Sequence, residues 1–436
     1  MHHRSGVTTF QAISVVAIIV LIGAVGYFLA TSPGTRVNTL TNTLTNTVTT
    51  TAPAFKGTIN IGVLEPFTSF AAFYGPQITD GATLAAEEIN AAGGVAGYRL
   101  NIVTGDEGSG GSQTINAYNE LVVKDNASFI IGPDFSGDFL AIRPLMVRDH
   151  TIIISTSNSV LSLTQDVLSN YSSYKWYFRF VANDSELTVN GYNFLSKFAN
   201  AKSLVFVGED FLYVHEDAKI LNATAQAHGV KVLATDFFAG DTLDYSSEVL
   251  KIAQLKPDAV GTVMTGSNEI LFVKQLRQNP TTAKIPVFVG YSFGPLNTPS
   301  VVQDTESSQP GSTNNVVITG YLPTQAITPK TVQFYQNFLK RFGVIADTFL
   351  PAYSYDAVYV LANAIQKVGS LDKAAIVTAL EQTHYTGVIG NIAFGKSHDL
   401  VYGPGFVQLP MVQIQDTNYA TIYPPSIATG SYRPPG

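Results

Sequence analysis

Three serine-bearing segments offer the most direct chemistry in this chain. Gly290-Tyr291-Ser292-Phe293-Gly294 follows the strand-like PVFVG and fits G-x-S-x-G, a turn that presents a nucleophilic serine in α/β-hydrolases. That chemistry needs a helix straight after the serine and a base within reach. Pro295, Asn297 and Pro299 make a poor helix start, and neither His384 nor His398 stands in a context that marks a base. Ser136 follows the strand-like SFIIG and opens a helical stretch. The first amides of a helix have no intrahelical partner, so a serine there builds an anion site suited to a carboxylate, or else simply caps the helix. Ser157 and Ser159 lie just after the apolar run TIIIS, where a polar turn is the plain alternative to ligand contact.

Other chemistries are absent from the sequence. With no cysteine, thiol nucleophiles, disulfides and zinc–thiolate sites are excluded. The seven histidines are scattered, and no H-E-x-x-H, P-loop or strand-linked G-x-G-x-x-G occurs, so no metal or cofactor is expected. Gly108-Ser109-Gly110-Gly111 reads more simply as a flexible loop than as a phosphate cradle. The net charge of -7 lacks the basic face that nucleic acid would require.

The elements that must position these serines alternate between strand and helix. Thr58–Pro66, Arg99–Gly105, Ser128–Gly132 and Thr151–Ser155 are strand-like, with helical spacing in Asp80–Ala92 and Asn116–Lys124 between them. Such alternation gives parallel strands covered by helices on both faces. The pattern restarts at Ser203–Gly208, Lys231–Thr235, Asp258–Thr265 and Pro286–Gly290, with helical stretches at 214–228, 245–255 and 269–278. Two runs of similar size with no long linker indicate two α/β lobes, which the 436-residue length allows. From Thr331 the chain turns helical, and from Val388 it is β-like and rich in Pro and Gly, with a ragged tail over 426–436.

The first 55 residues read differently. Phe10–Ala30 is apolar and uncharged, long enough to span about 30 Å of hydrocarbon. Arg4 on its N-terminal side orients the rest of the chain outside the cytoplasm. A signal sequence is the competing reading, and Arg4-Ser5-Gly6 resembles a pilin-type processing site that would leave the apolar helix attached. Thr-rich residues 31–55 form a stalk, and four N-x-S/T sequons lie at Asn126, Asn170, Asn183 and Asn222.

Three segments carry a family resemblance. They are IGVLEPFTSFAAFYGPQITDGATLAAEEINAAGGVAGYRLNIVTGDE (61–107), FIIGPDFSGDFLAIRPLMVRDHTIIISTSNS (129–159) and YSYDAVYVLANAIQKVGSLDKAAIVTALE (353–381). Together they resemble the branched-chain amino-acid ABC transporter substrate-binding family, of periplasmic-binding-protein type 1. The resemblance implies two doubly wound α/β lobes joined by three hinge crossings, here near 180–184, 320–324 and 388–391. Lobe one would comprise 57–181 plus 323–388, and lobe two 182–322 plus 389–425. A small carboxylate-bearing solute would be trapped between them by hinge closure.

Carried over position by position, the resemblance assigns ligand contact to Tyr74, Ser136, Ser157, Ser159, Tyr213, Thr265 and Ser292. Two positions depart from the family pattern. Ser292 stands where amino-acid binders place a carboxylate for the ligand ammonium, and Thr265 stands at an aromatic position. A neutral serine cannot pair a desolvated ammonium. Asp134, Asp210 and Glu269 are the candidates to compensate, or else the ligand lacks an α-ammonium; Tyr291 and Phe293 would suit an apolar, amide or aromatic ligand group. The expected partners are a small-molecule ligand, an ABC permease and the membrane through the N-terminal helix, with no nucleic acid and no enzymatic activity. The alternatives are a surface receptor that signals through a partner and a serine hydrolase using Ser292.

Overall fold

The computed structural model describes residues 55–108, 110–265, 267–290, 296, 298–320, 326–346 and 349–435. The expected membrane helix over 10–30 and the stalk lie outside these residues. Among the described residues no helix is long and apolar enough to cross a membrane.

Five strands form the first sheet: β1 (Gly57–Glu65), β2 (Tyr98–Asp106), β3 (Ala127–Ile131), β4 (Ile152–Ser155) and β5 (Tyr177–Arg179). Their order is β2-β1-β3-β4-β5, all parallel. Ile59, Ile61, Val63 and Leu64 of β1 are buried, as are Phe129, Ile130 and Ile131 of β3 and Ile152, Ile153 and Ile154 of β4. Near-continuous apolar runs of this kind are what a strand covered on both faces requires.

The second sheet uses β6 (Ser203–Glu209), β7 (Lys231–Phe238), β8 (Ala259–Val263), β9 (Val287–Val289) and β10 (Val317–Thr319) in the order β7-β6-β8-β9-β10. The same strand order thus occurs twice. After the small hairpin of β11 (Tyr385–Thr386) and β12 (Asn391–Ile392), β13 (Met411–Gln415) and β14 (Asn418–Tyr423) extend the second sheet antiparallel beyond β10. The second lobe is therefore only partly a parallel sheet.

The late helices return to the first sheet. Helix Leu350–Val368 packs on helix Tyr74–Ala91, and a Cβ at Gly81 would meet the Pro351 carbonyl oxygen at 2.1 Å. Glycine is what allows that approach, and Ser354 Oγ donates to the Ile78 carbonyl at 2.8 Å across the same contact.

Two expectations need correction. Residues 398–400 still belong to the first lobe: Arg179 N donates to His398 O at 3.0 Å and Leu400 N to Arg179 O at 3.1 Å. The third crossing therefore falls between Leu400 and Met411, not at 388–391, because the apparent β-rich restart at Val388 is only the β11–β12 hairpin. The tail is not ragged either. Arg433 N donates to Gln413 Oε1 at 2.8 Å, and Tyr432 lies against Phe194 and Phe198 at 6.0 and 5.5 Å. The other two crossings were expected near 180–184 and 320–324. At the first, Phe180–Asn183 leads from β5 into helix Asp184–Asn193, whose cap is a reciprocal Asn183–Glu186 pair; most of the second lies outside the described residues.

Candidate functional site

In an open α/β sheet, ligands bind beyond the carboxyl ends of the strands where the strand order reverses. Here that point lies between β1 and β3 in one sheet and between β6 and β8 in the other. Both point at one enclosed, water-sized space of about 10 Å³ between the lobes. Asp134, Phe135, Ser136, Ser157 and Asn158 line it from the first lobe, and Tyr213 and Thr265 from the second.

The first-lobe wall is built by two turns fastened together. After β3, Gly132 takes φ +110°, and a Cβ there would sit 2.0 Å from the Leu64 carbonyl oxygen. This turn lets Pro133, Asp134 and Phe135 cross the end of β1 before helix Ser136–Asp149 begins. Phe135, not Ser136, holds the N-cap position, and its side chain gives no cap. The Ser136 hydroxyl accepts instead from Val160 N at 3.4 Å. In the second turn Ser155 Oγ accepts from Asn158 N at 3.1 Å, and Asn158 Nδ2 donates to Pro133 O at 2.9 Å. The Tyr177 hydroxyl donates to Asn158 Oδ1.

In the second lobe, Tyr213 opens helix Leu212–Ala227 and its hydroxyl shares a 2.6 Å hydrogen bond with Thr265 Oγ1. Thr265 N donates to Glu209 Oε2 at 2.9 Å, and Asn268 Nδ2 to Glu209 Oε1 at 3.1 Å. The end of β6 and the turn after β8 are held together by that carboxylate.

Burial shifts the acids around this space. It pushes Asp134 up to about 7 against a favourable bond from the Ser157 hydroxyl, and Glu209 up to about 8 against the bonds from Thr265 and Asn268. Tyr74 is raised well above its ordinary value, first by burial and then by the negative charges of Asp134, Tyr213, Glu269 and Glu209. Tyr74 is buried at the start of helix Tyr74–Ala91 and does not line the space.

The sequence-derived candidates therefore divide. Ser136, Ser157, Tyr213 and Thr265 come together, and Tyr74 lies behind them. Ser159 does not line the space; its carbonyl accepts from Asp184 N at 3.0 Å, where the chain leaves the first lobe. Ser292, with Tyr291 and Phe293, lies outside the described residues. The next described helix, Pro299–Ser308, begins seven residues after Ser292, with Pro299 in its first turn, where a missing N–H costs nothing. Of the acids proposed to compensate, Asp134 lines the space, Glu269 is buried and accepts from Leu296 N at 2.9 Å, and Asp210 is exposed and paired with His215 at 2.7 Å.

Sequence reasoning missed Phe135, Asn158 and Glu209. Phe135 and Asn158 lie inside the motifs GPDFS and STSNS, where attention went to the hydroxyls. It also missed a clasp of three phenylalanines. Phe211 of the second lobe stacks on Phe70 at 5.5 Å and on Phe135 at 5.4 Å, while Phe70 meets Phe135 at 5.9 Å. Nothing in their spacing marks Phe70 and Phe135, 141 and 76 residues before Phe211 along the chain, as its neighbours.

A buried lock holds the hinge side. Arg179 at the end of β5 donates from Nε to Asp399 Oδ1 at 2.7 Å, from one terminal nitrogen to Val160 O at 2.7 Å, and from the other to Thr164 Oγ1 at 2.6 Å. Among the described residues no cluster of side chains suited to a metal ion is found.

Residues 58–415 match the model of a family described as periplasmic binding protein. The Leu/Ile/Val-binding protein BraC3 of Rhizobium johnstonii is 25% identical over 80% of this chain and 90% of its own length. Among solved structures, the branched-chain amino-acid transporter substrate-binding protein LivJ of Streptococcus pneumoniae, in complex with isoleucine, matches with a TM-score of 0.71 at 22% identity, covering 83% of this chain and 97% of LivJ. A solute-binding protein of R. palustris in complex with benzoate matches with a TM-score of 0.71 at 17% identity, covering 87% and 97%.

Proposed function

From the premise that this chain belongs to the periplasmic binding protein family, whose members bind solutes and do no catalysis, we propose that it captures a small carboxylate-bearing solute for an ABC importer. One observation carries the proposal: a small space with polar groups from both lobes lies where the reversal points of two like-ordered sheets face each other. Ser136 offers a hydroxyl at a helix N-terminus and Ser157 a hydroxyl from the turn after β4, which suits a carboxylate. Tyr213 and Thr265 close from the second lobe, with Tyr74 supporting them. Ser292 completes that wall by family correspondence, and Ser159 acts at the first crossing. The water-sized volume corresponds to a closed form, so the lobes part about their crossings to admit solute.

Lobe one comprises residues 57–181 plus the segment from 323 to about 400. Lobe two comprises 182–322 plus about 411–435. The apolar run 10–30 supports anchorage in the cell membrane, with the binding body outside the cytoplasm and a permease as partner.

The test is a thermal-shift screen of the full-length chain against amino acids, amides, short peptides and aromatic acids. At least one solute should give a saturable rise in Tm. Ser136→Ala should then weaken that solute about tenfold with little change in the ligand-free Tm. No shift with any solute would overturn the proposal.

A further inference from the structure

A cavity of about 580 Å³ lies against the third crossing and shares no lining residue with the interlobe space. Its size falls in the range of small-molecule sites, roughly 300–1,000 Å³. Helix Asp184–Asn193 forms one wall. The crossing, at 402–409, and the end of β14 with the residues after it, at 423–426, form the rest.

These walls are fastened to one another. Asn190 Nδ2 donates to Leu409 O at 3.1 Å, which ties the helix to the third crossing. The Tyr402 hydroxyl donates to Phe180 O at 3.1 Å, which ties the third crossing to the first. The two sides differ in chemistry. Crossing and β14 end contribute Tyr402, Pro404, Leu409, Tyr423 and Pro424, a surface of rings and aliphatic groups. The helix contributes Glu186, Asn190 and Asn193, which its period places along one face.

Asn193 is the group that points to a ligand. It is only 8% exposed, it lines the cavity, and no hydrogen bond among the described residues uses its side chain. A nearly buried amide without a partner is unfavourable unless something entering the cavity supplies one. Its donor and acceptor stand side by side, and a second carboxamide satisfies both at once. Charged ligands fit less well. No lysine or arginine lines the cavity, and Glu186 places an acid at one end, so an anion is disfavoured. One Glu186 oxygen accepts from Asn183 N at 3.0 Å, and burial pushes the group up to about 7, so at pH 6 it does not offer a full charge to a cation.

We infer that this cavity is a second ligand site, separate from the interlobe space, and that it takes a neutral, flat-ringed carboxamide whose amide pairs with Asn193 and whose ring lies against Tyr402, Tyr423 and Pro424. The inference stands whether or not the interlobe space captures a solute.

Ligand-observed NMR titration of the full-length chain at pH 6 with 2-naphthamide, 2-naphthoate and 2-naphthamidine tests this. The three probes share a ring system and differ in charge. Naphthamide should bind saturably, and at least about threefold more tightly than the anion or the cation. Asn193→Leu keeps the size and removes the amide, and should weaken naphthamide about three- to tenfold. Val189→Trp, at the exposed rim, should fill the cavity and abolish binding. Ser136→Ala, in the other space, should leave naphthamide affinity unchanged. Circular dichroism melting confirms that each variant folds. Absence of saturable naphthamide binding, or binding that survives in folded Val189→Trp, would overturn the inference. So would equal or tighter binding of naphthoate or naphthamidine, or a loss of naphthamide affinity in Ser136→Ala.

Discussion

Phe211→Ala should open the molecule. Phe211 is the second-lobe member of the clasp, and its ring makes two contacts with first-lobe rings, at 5.5 Å to Phe70 and 5.4 Å to Phe135. Interplanar angles of 12° and 30° are close to stacking. An aromatic pair contributes about 0.5–1.5 kcal/mol beyond burial, so two pairs across the cleft favour closure by about 1–3 kcal/mol. At about 1.4 kcal/mol per factor of ten, their loss shifts the closed-to-open ratio roughly five- to 150-fold toward open. Because the chain has no cysteine, a clean spin-label pair can be placed by Leu168→Cys in the first lobe and Leu250→Cys in the second, both exposed. Electron–electron distance measurements without ligand should show a mainly closed population in the parent and a longer, broader one in Phe211→Ala. Phe70→Ala, which removes one of the two interlobe contacts, should fall between. Identical distance distributions in parent and Phe211→Ala would refute the idea that these rings hold the lobes together.

Other outcomes follow from the same contacts. Asp399→Ala should destabilise the fold by about 3–5 kcal/mol in urea denaturation, since it strands a buried Arg179; Arg179→Leu with Asp399→Leu should recover much of that loss, and equal loss in single and double variants would exclude a charge effect. Gly132→Ala should cost about 1–3 kcal/mol or more and disturb solute binding, as its φ of +110° and the 2.0 Å approach to Leu64 O leave no room for a methyl group; a fully stable Gly132→Ala would contradict the turn described. Stability should also fall as pH rises. Asp134, Glu186 and Asp356, each raised to about 7 by burial, and Glu209, raised to about 8, bind protons in the folded chain that the unfolded chain has already released. Their contribution is full below the unfolded carboxylate range near 4 and is lost as pH climbs to about 8. Tm should therefore be higher at pH 5.5 than at pH 8, and Asp134→Asn with Glu209→Gln should flatten the slope; a Tm that rises over this range would refute the assignment.

The strands were readable because each parallel strand is an apolar run closed by a turn, as in SFIIG and TIIIS, which become β3 and β4. β5 and the helix Asp184–Asn193 escaped notice because YFR is too short for a periodic signal and helix 184–193 exposes Val189 while burying Asp184 and Asn190. The hydroxyl wall was legible through Ser136 and Ser157 because the family resemblance assigns ligand contact to both; their positions after strands read equally as a helix cap and a polar turn. The electrostatic wall was not. A carboxylate such as Glu209 reads as an ordinary polar residue at a strand end, and only the fold shows that Thr265, 56 residues later, donates to it.

The duplicated strand order gives a reason why binding and closure belong together in this molecule. Each sheet alone brings only half a site: the first supplies Ser136, Ser157 and Asn158, and the second Tyr213 and Thr265. Neither half encloses a small solute. Here the space is closed from both sides with the phenylalanine clasp formed, Asp134 lines it and Glu209 is buried behind Thr265. Closure without solute thus buries two carboxyl groups whose ionised forms burial disfavours, and above about pH 8, where both ionise, that cost opposes the clasp. A solute that offers Asp134 a positive or hydrogen-bond-donating group lowers that cost, and the space of about 10 Å³ must widen to hold it. The clasp then favours closing at all times, and the acids oppose it less once a solute meets Asp134. If that division holds, Asp134→Asn should close more readily than the parent without solute and gain less from solute, whereas Phe211→Ala should close less readily in both conditions. The same labelled pair, measured with and without the solute found by thermal shift, separates the two effects. Variants that move both conditions in the same direction would show that charge and clasp are not distinct contributions.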